Sequence, residues 1–368
     1  MKISVVIVTY NRPQSLKCTL EALAGQSRHS DEIIIVDNGS DVDYTETISS
    51  FSHALRIVYT AIRKSSTAVG RNVGVSAAQG DIVVFTDDDC IPHERWLEHI
   101  LLPFEKDKTI VGVGGKLSSY GDAGRPSIND FFDEEFRFYG ERLRRFHCCR
   151  QKGELFPPYF ITANAAFRKK ALQEIGLFDE LFGPAEDVDL SIRIYQKGWK
   201  VWYEERAVVF HKNRSTMGGF IKQYFYYGYY DVELYVKHRD VKRKLAIQFD
   251  RGSPDSHFGT PKKVCVIECP FLFPCYIQTV SIERRTVVLA AALLCLLFSA
   301  DFFWGFIILF SMYMAMCFRF FKNDFLKESN IKKSFNYFLI RIIASKSAMA
   351  GQLYNSIKKG MIILVLYS

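Results

Sequence analysis

The 368 residues are 48% hydrophobic and 24% charged, with a formal net charge of +8, enough chain for one large or two ordinary domains and unlike a disordered segment or a disulfide-held miniprotein. Residues 1–215 carry 28 basic and 30 acidic side chains, whereas residues 216–368 carry 20 and 10. Basic charge gathered beside the most apolar part of the chain points to a membrane surface and away from a nucleic-acid groove. Nine scattered cysteines without a C-x-x-C pair speak against a disulfide framework or a zinc ribbon and for reduced thiols. The run Lys2-Ile3-Ser4-Val5-Val6-Ile7-Val8 is too short for the apolar region of a signal peptide, so no cleavable targeting segment is expected.

Ile3 to Val8 is a β-branched run that stops at Thr9-Tyr10-Asn11-Arg12-Pro13, and Leu16, Leu20 and Leu23 mark the apolar face of a following helix. Glu32 to Val36 is a second apolar run, ending on Asp37-Asn38-Gly39-Ser40. Two strands with a helix between them predict a right-handed βαβ unit and a parallel sheet. Arg56 to Tyr59 predicts a third strand, and the small residues of Ser66–Gln79 predict a helix lying close on the sheet. Gly80 ends that helix, and Ile82–Thr86 predicts a fourth strand.

The fourth strand stops on three carboxylates, Asp87, Asp88 and Asp89. The strand ends therefore collect Tyr10, Asp37 and these aspartates along one edge, with Arg71 at the start of a nearby helix. Open α/β sheets bind ligands at their carboxyl edge. An aromatic ring, a cation and carboxylates suit a nucleotide with a metal-bound diphosphate, and hard oxygen ligands favour magnesium, manganese or calcium. A solvated acidic turn is the alternative reading.

Thr109 to Leu117 predicts another strand, and the charged, aromatic stretch Asn129–Arg150 an amphipathic covering of the acceptor side. In Phe160–Arg168, Asn164 is either a strand-end cap or a contact to a sugar hydroxyl or diphosphate. Pro184 opens a helix whose first turn holds Glu186, Asp187 and Asp189. Helical spacing groups Glu186 with Asp189 and Arg193, and sets Asp187 on the buried row with Leu190 and Ile194. A helix N-terminus keeps Asp187 ionised while apolar neighbours raise its basicity, the opposed influences that suit a general base. Capping of the helix by its first-turn acids is the alternative. Val201–Tyr203 and Ala207–Phe210 predict two short strands, the second ending at His211.

Met217 to Tyr235 is dense in aromatics, suited to stacking on sugars, to a membrane interface, or to packing against the preceding domain. Thr286 to Phe318 holds 33 residues and one charge, Asp301. As a single helix it would run about 50 Å, beyond a hydrocarbon core of ~30 Å. A hairpin broken near Ser299-Ala300-Asp301 is predicted, with Arg284, Arg285, Arg319 and Lys322 holding both outer ends on the cytoplasmic side. Residues 336–344 and 361–367 suit the interface. The expected division is a catalytic domain at 1–215, an aromatic and basic interfacial region at 216–283, a membrane hairpin at 284–321 and a basic tail at 322–368.

The segments SVVIVTYNRPQSL, IIIVDNGS, GRNVG and GDIVVFTDDD, in this order and rough spacing, resemble the family 2 inverting glycosyltransferases of the GT-A fold. The resemblance covers residues 2–213. It implies an α/β domain with a Rossmann-like, mostly parallel sheet flanked by helices, followed by a helical, membrane-associated C-terminal region. It further implies a nucleotide-sugar donor, a divalent cation (Mn2+ or Mg2+) and inversion at the anomeric carbon; together with the basic flanks of the apolar segment, the expected acceptor is a glycan or lipid-linked one at the cytoplasmic face of the membrane.

By that resemblance Thr9, Tyr10, Asp37 and Arg71 match donor-nucleotide positions. Asp87 matches the ribose-side carboxylate and Asp89 the metal ligand, while Asp88 fills the variable place and assists either role. Glu186-Asp187, followed by Gly198-Trp199, falls where relatives carry an E-D motif, which makes Asp187 the base; Glu186 and Asn164 then fall near the donor or acceptor sugar. The pattern A-V-V-F-H resembles the place where some relatives supply a third metal ligand, here His211. Cys90 stands where many relatives have a fourth acid and is read as packing. The Q-x-x-R-W motif of processive synthases is absent, so transfer of a single sugar is expected. Polysaccharide synthesis, nucleotidyl transfer and a non-catalytic membrane module that keeps the fold are the alternatives.

Overall fold

The computed structural model describes residues 1–120, 126–145, 159–214, 216–238, 244–249, 263–268, 277–279, 331–359 and 362–364, with 307, 308 and 311 besides. The chain divides into two compact units, Met1–Thr216 and Met217–Ser368. The first begins with β1 (Ile3–Thr9), α1 (Pro13–Ala24), β2 (Glu32–Asp37), α2 (Thr45–Ser49), β3 (Ile57–Ala61), α3 (Thr67–Ala77) and β4 (Ile82–Phe85). It continues through β5 (Cys90–Pro92), α4 (Trp96–Lys106), β6 (Ile110–Tyr120), α5 (Pro126–Arg145), β7 (Ala165–Arg168), α6 (Lys169–Glu174), α7 (Glu186–Gln196) and β8 (Lys200–Lys212).

These strands form one eight-stranded sheet in the order β3-β2-β1-β4-β7-β6-β8-β5. The first four are parallel, as the βαβ pattern predicts. The rest is mixed rather than mostly parallel: β7 runs against both β4 and β6, β8 runs with β6, and β5 turns back against β8. The direction of a strand as short as Ala165–Arg168 is set by its partners and not by its residues, so pattern alone does not reveal it. The two short strands predicted around His211 are one strand, β8. Its residues 205–207 bulge opposite the step from Gly115 to Lys116, which hides the continuity from a period-2 reading.

Alternation along β1 feeds two cores. Val5 and Ile7 pack with Leu16, Leu20, Leu97 and Leu101 on one face, and Val6 packs with Val75, Leu190 and Ile194 on the other. The small-residue stripe of α3 lets that helix press onto β1: a Cβ on Gly70 would lie 2.8 Å from Val8 Cγ1, and one on Gly74 would collide with Val6. This close approach sets Arg71 just inside the carboxyl edge of the sheet.

The second unit contains α8 (Met217–His238), β9 (Lys244–Phe249), β10 (Lys263–Glu268), β11 (Ile277–Thr279), α9 (Ile331–Lys358) and β12 (Ile362–Leu364). β9 and β10 pair antiparallel, β11 and β12 parallel. Helices α8 and α9 touch backbone to backbone, Gly228 meeting Ala348 and Gly351 meeting Phe225. Gln352 donates to Asp231 at 3.1 Å, and Asn355 to Glu233 at 3.0 Å. Part of the aromatic run thus lines α9, with the rings of Phe225 and Tyr229 5.9 and 6.3 Å from that of Tyr354. The stretch 336–344 lies within α9, where Ile340 and Ala344 are buried. Among the described residues no helix is long and apolar enough to cross a membrane. The hairpin predicted at 284–321 lies outside the described residues apart from 307, 308 and 311, as do 250–262 and most of 361–367.

Candidate active site

The turn from β4 to β5 carries Asp87, Asp88 and Asp89, and they differ in burial. Asp88 turns inward and is 4% exposed. It accepts hydrogen bonds from Thr9 Oγ1 at 2.8 Å and Arg12 Nη1 at 3.0 Å. Burial pushes its carboxyl up to about 6, with Arg12 pulling the other way. Asp87 and Asp89 are half-buried on the outer side. Asp89 Oδ2 accepts from Arg12 Nη1 at 2.6 Å, and its Oδ1 lies 3.6 Å from His211 Nε2. His211 arrives there because β8 pairs with β5, placing it opposite Cys90; its other ring nitrogen is 3.1 Å from Asn213 Oδ1.

One potential ligand atom from each of Asp87, Asp89, Cys90 and His211 falls within 4.8 Å of the others. Cys90 is fully buried, and burial followed by the charge of Asp87 pushes its thiol well above the usual range. It stays protonated and packs, as its apolar setting suggests. Two carboxylates and an imidazole remain, a donor set that fits Mn2+ or Mg2+.

At the ends of β1 and β2 the polar groups largely satisfy one another. Thr9 is buried, its hydroxyl 3.0 Å from that of Tyr44 and bonded to Asp88. Asp37 accepts from Tyr59 Oη at 2.8 Å and from the Ser40 N–H at 2.9 Å. Burial, and then the bond to Asp37, raises the Tyr59 phenol. Tyr10 is half-buried beneath Lys64, whose Nζ lies 4.0 Å from the ring centroid and donates to the Tyr10 hydroxyl at 2.6 Å. Tyr59 and Lys64 are residues of this edge that no motif marks, and Arg12 lies inside the first motif without a role assigned to it.

Arg71 ties this edge to α7. Buried, it donates from Nη2 to Asp87 Oδ1 at 2.9 Å and from Nη1 to Glu186. The second oxygen of Glu186 accepts the Ala185 N–H at 2.9 Å. Glu186 is therefore committed to an ion pair and a cap, in place of the expected contact with a sugar. Asp189 is equally buried, paired with Arg193 at 2.8 Å. The acids on the inner side of α7 are thus Glu186 and Asp189, each neutralised by a guanidinium, a pairing with Arg71 that helical spacing could not foresee. Asp187, expected on the buried row, is half-buried. It accepts the N–H groups of Val188, at 2.8 Å, and Thr162. Burial, then the charge of Glu186, pushes it up to about 7 against the pull of Arg71.

Asn164 is corrected outright. It is 1% exposed, with Oδ1 accepting from Trp96 Nε1 at 2.8 Å and Nδ2 donating to the carbonyls of Lys116 and Ala207, both at 2.8 Å. It staples α4 to β6 and β8, and its amide has no hydrogen left for a sugar.

Residues 4–176 match the model of the family described as Glycosyl transferase family 2. This stretch is similar to family 2 glycosyltransferase domains, and several curated relatives are named as transferases of sugars. A pre-mycofactocin glycosyltransferase of Mycobacterium tuberculosis is 27% identical over 253 residues, 67% of this chain and 50% of that protein. The glucosyl-dolichyl phosphate glucuronosyltransferase of Haloferax volcanii is 27% identical over 251 residues, 62% of this chain and 76% of that one. The chain therefore spans about half the length of the first of these relatives. Among solved structures, the mannosyltransferase PcManGT of Pyrobaculum calidifontis, in complex with GDP-Man and Mn2+, aligns with a TM-score of 0.49 at 19% identity, covering 64% of this chain and 63% of that one.

Proposed function

We propose that the first unit transfers a single sugar from a nucleoside diphosphate sugar to an acceptor hydroxyl, with inversion, and that Asp187 is the general base. The observation that carries this reading is the ion-pair chain Asp87–Arg71–Glu186, which ties the carboxyl edge of the sheet to the helix turn that holds Asp187. The acceptor O–H passes its proton to the Asp187 carboxylate as its oxygen attacks the anomeric carbon, and the bond from that carbon to the diphosphate oxygen breaks. A carboxyl near 7 is a competent base at neutral pH. Arg71 keeps the turn aligned, and Asp37 and Tyr10 face the base and ribose end of the donor. A divalent cation held by Asp87, Asp89 and His211 would offset the charge of the departing diphosphate.

A lipid-linked or membrane-proximal acceptor is the companion proposal, with the chain attached at the cytoplasmic face through its C-terminal part. The basic surplus of residues 216–368 and the dolichyl phosphate in the name of the Haloferax relative support it. Incubating the full chain and D187N with a panel of nucleotide sugars and Mn2+ or Mg2+, with nucleoside diphosphate release as the readout, tests the reaction. Release by the wild type and none by D187N is expected. Silence across the whole panel overturns the transferase reading, and undiminished transfer by D187N overturns the base.

A further inference from the structure

Arg12 lies at the centre of the acidic edge and its backbone is fixed from three sides. Asn11 before it adopts the left-handed conformation with φ 53°, its own N–H donates to Tyr44 Oη at 3.0 Å, and Pro13 after it opens α1. The guanidinium is less constrained, with 36% of the side chain exposed. A single nitrogen, Nη1, reaches both Asp88 at 3.0 Å and Asp89 at 2.6 Å. Among the described residues, Nη2 and Nε bond to no protein group. Asp89 is therefore shared: its Oδ2 holds Arg12 while its Oδ1 lies 3.6 Å from His211, and the residue groups with Asp87 and His211.

We infer that Arg12 is a resident counter-charge that competes with the divalent cation for Asp89 and passes to the donor diphosphate when displaced. The inference rests on the donor reading above. A guanidinium on one oxygen of a carboxylate repels a divalent ion at the other, so a cation arriving alone binds against Arg12. Asp88, buried and anionic, acts as the pivot: Arg12 retains this partner while letting go of Asp89. The freed guanidinium offers the planar pair of donors that matches phosphate oxygens. Cation and nucleoside diphosphate then bind cooperatively, because the diphosphate gives Arg12 a new partner. Arg12 acts as a positioning residue whose first effect is on cation affinity.

Calorimetric titration of the full chain with Mn2+ alone, then with UDP and GDP with and without saturating Mn2+, tests this for wild type, Arg12→Ala and Arg12→Lys. Arg12→Ala is expected to bind Mn2+ alone about tenfold tighter, to bind the diphosphate in Mn2+ about tenfold more weakly, and to lose most of the coupling. Arg12→Lys keeps the charge but not the fork, so its Mn2+ affinity stays near wild type while the diphosphate still weakens. Unchanged or weaker Mn2+ binding by Arg12→Ala overturns the inference. If Arg12→Ala does not fold because Asp88 loses its counter-charge, the double variant R12A/D88N carries the same Mn2+ comparison. Failure of the wild type to bind either diphosphate sinks the donor reading instead, a result distinct from the Mn2+ titration.

Discussion

Two runs of acids meet at the candidate site, Asp87-Asp88-Asp89 after β4 and Glu186-Asp187-Val188-Asp189 at the start of α7. In the strand turn, the middle acid is buried on Thr9 and Arg12 while the outer two converge with His211. In the helix, the first and third acids, Glu186 and Asp189, share the inner face and are neutralised by Arg71 and Arg193. There the remaining acid, Asp187, is left with main-chain donors and a carboxyl pushed up to about 7. The turn gathers two carboxylates, as the proposed cation would need; the helix isolates one, as the proposed base would need. Arg71 belongs to both runs and keeps them together.

The contrast breaks most visibly at Asp187. Asp187→Asn should cut transfer by about 10²–10⁴-fold while the dissociation constant of the nucleoside diphosphate stays put, as read by parallel turnover and titration. In the wild type, kcat/KM should fall as pH drops through about 7, because the base must be deprotonated. A flat profile between pH 5.5 and 8, an interval of about one to two units on each side of that value, would remove the base assignment.

Next in size is the shared residue. Arg71→Ala leaves Glu186 buried without its partner, and urea denaturation should register a loss of about 3–5 kcal/mol. If instead stability holds and only turnover falls, Arg71 serves the donor alone and the two runs are independent. His211→Ala probes the strand side by itself: Mn2+ affinity should weaken about tenfold with the pH profile unmoved. Unaltered Mn2+ binding would leave His211 a structural partner of Asn213.

The smallest effect is thermodynamic. The folded-state pKa of Asp187, about 7, lies above its ordinary 3.8, so the native state retains a proton that the unfolded chain has lost between those values. Its contribution to stability is complete below pH ~4 and is lost as pH rises through about 7. Asp187→Asn removes that dependence and should melt about 2–4 °C higher than wild type at pH 8, with no such gain at pH 4. Equal melting curves at both pH values would mean that the carboxyl is not strained.

Much of this was legible in the residues, for identifiable reasons. The continuous β-branched runs of β1, β2 and β4 and the small-residue stripe of α3 are local signals, and they fix where Asp37, Arg71 and the three aspartates stand. What escaped depends on partners distant in sequence. Spacing along α7 exposes its two faces but not that Arg71 would draw Glu186 inward. Asn164 reads equally as cap or ligand until Trp96 and two carbonyls claim it. Arg12 had one usable signal, a guanidinium between a strand end and the proline that opens the next helix. Its meaning depends on which strand lies alongside.

β5, only three residues long, hydrogen-bonds to a single neighbour, β8, and β8 also brings His211 to Asp89. The family match stops at residue 176, well before β8 begins at Lys200. The group Asp87, Asp89 and His211 therefore comes together only when the chain returns across a long sequence separation. Closures of that kind are slow steps in folding. The order of assembly leaves the emerging domain without its complete acidic centre until nearly all of the first unit has been synthesised.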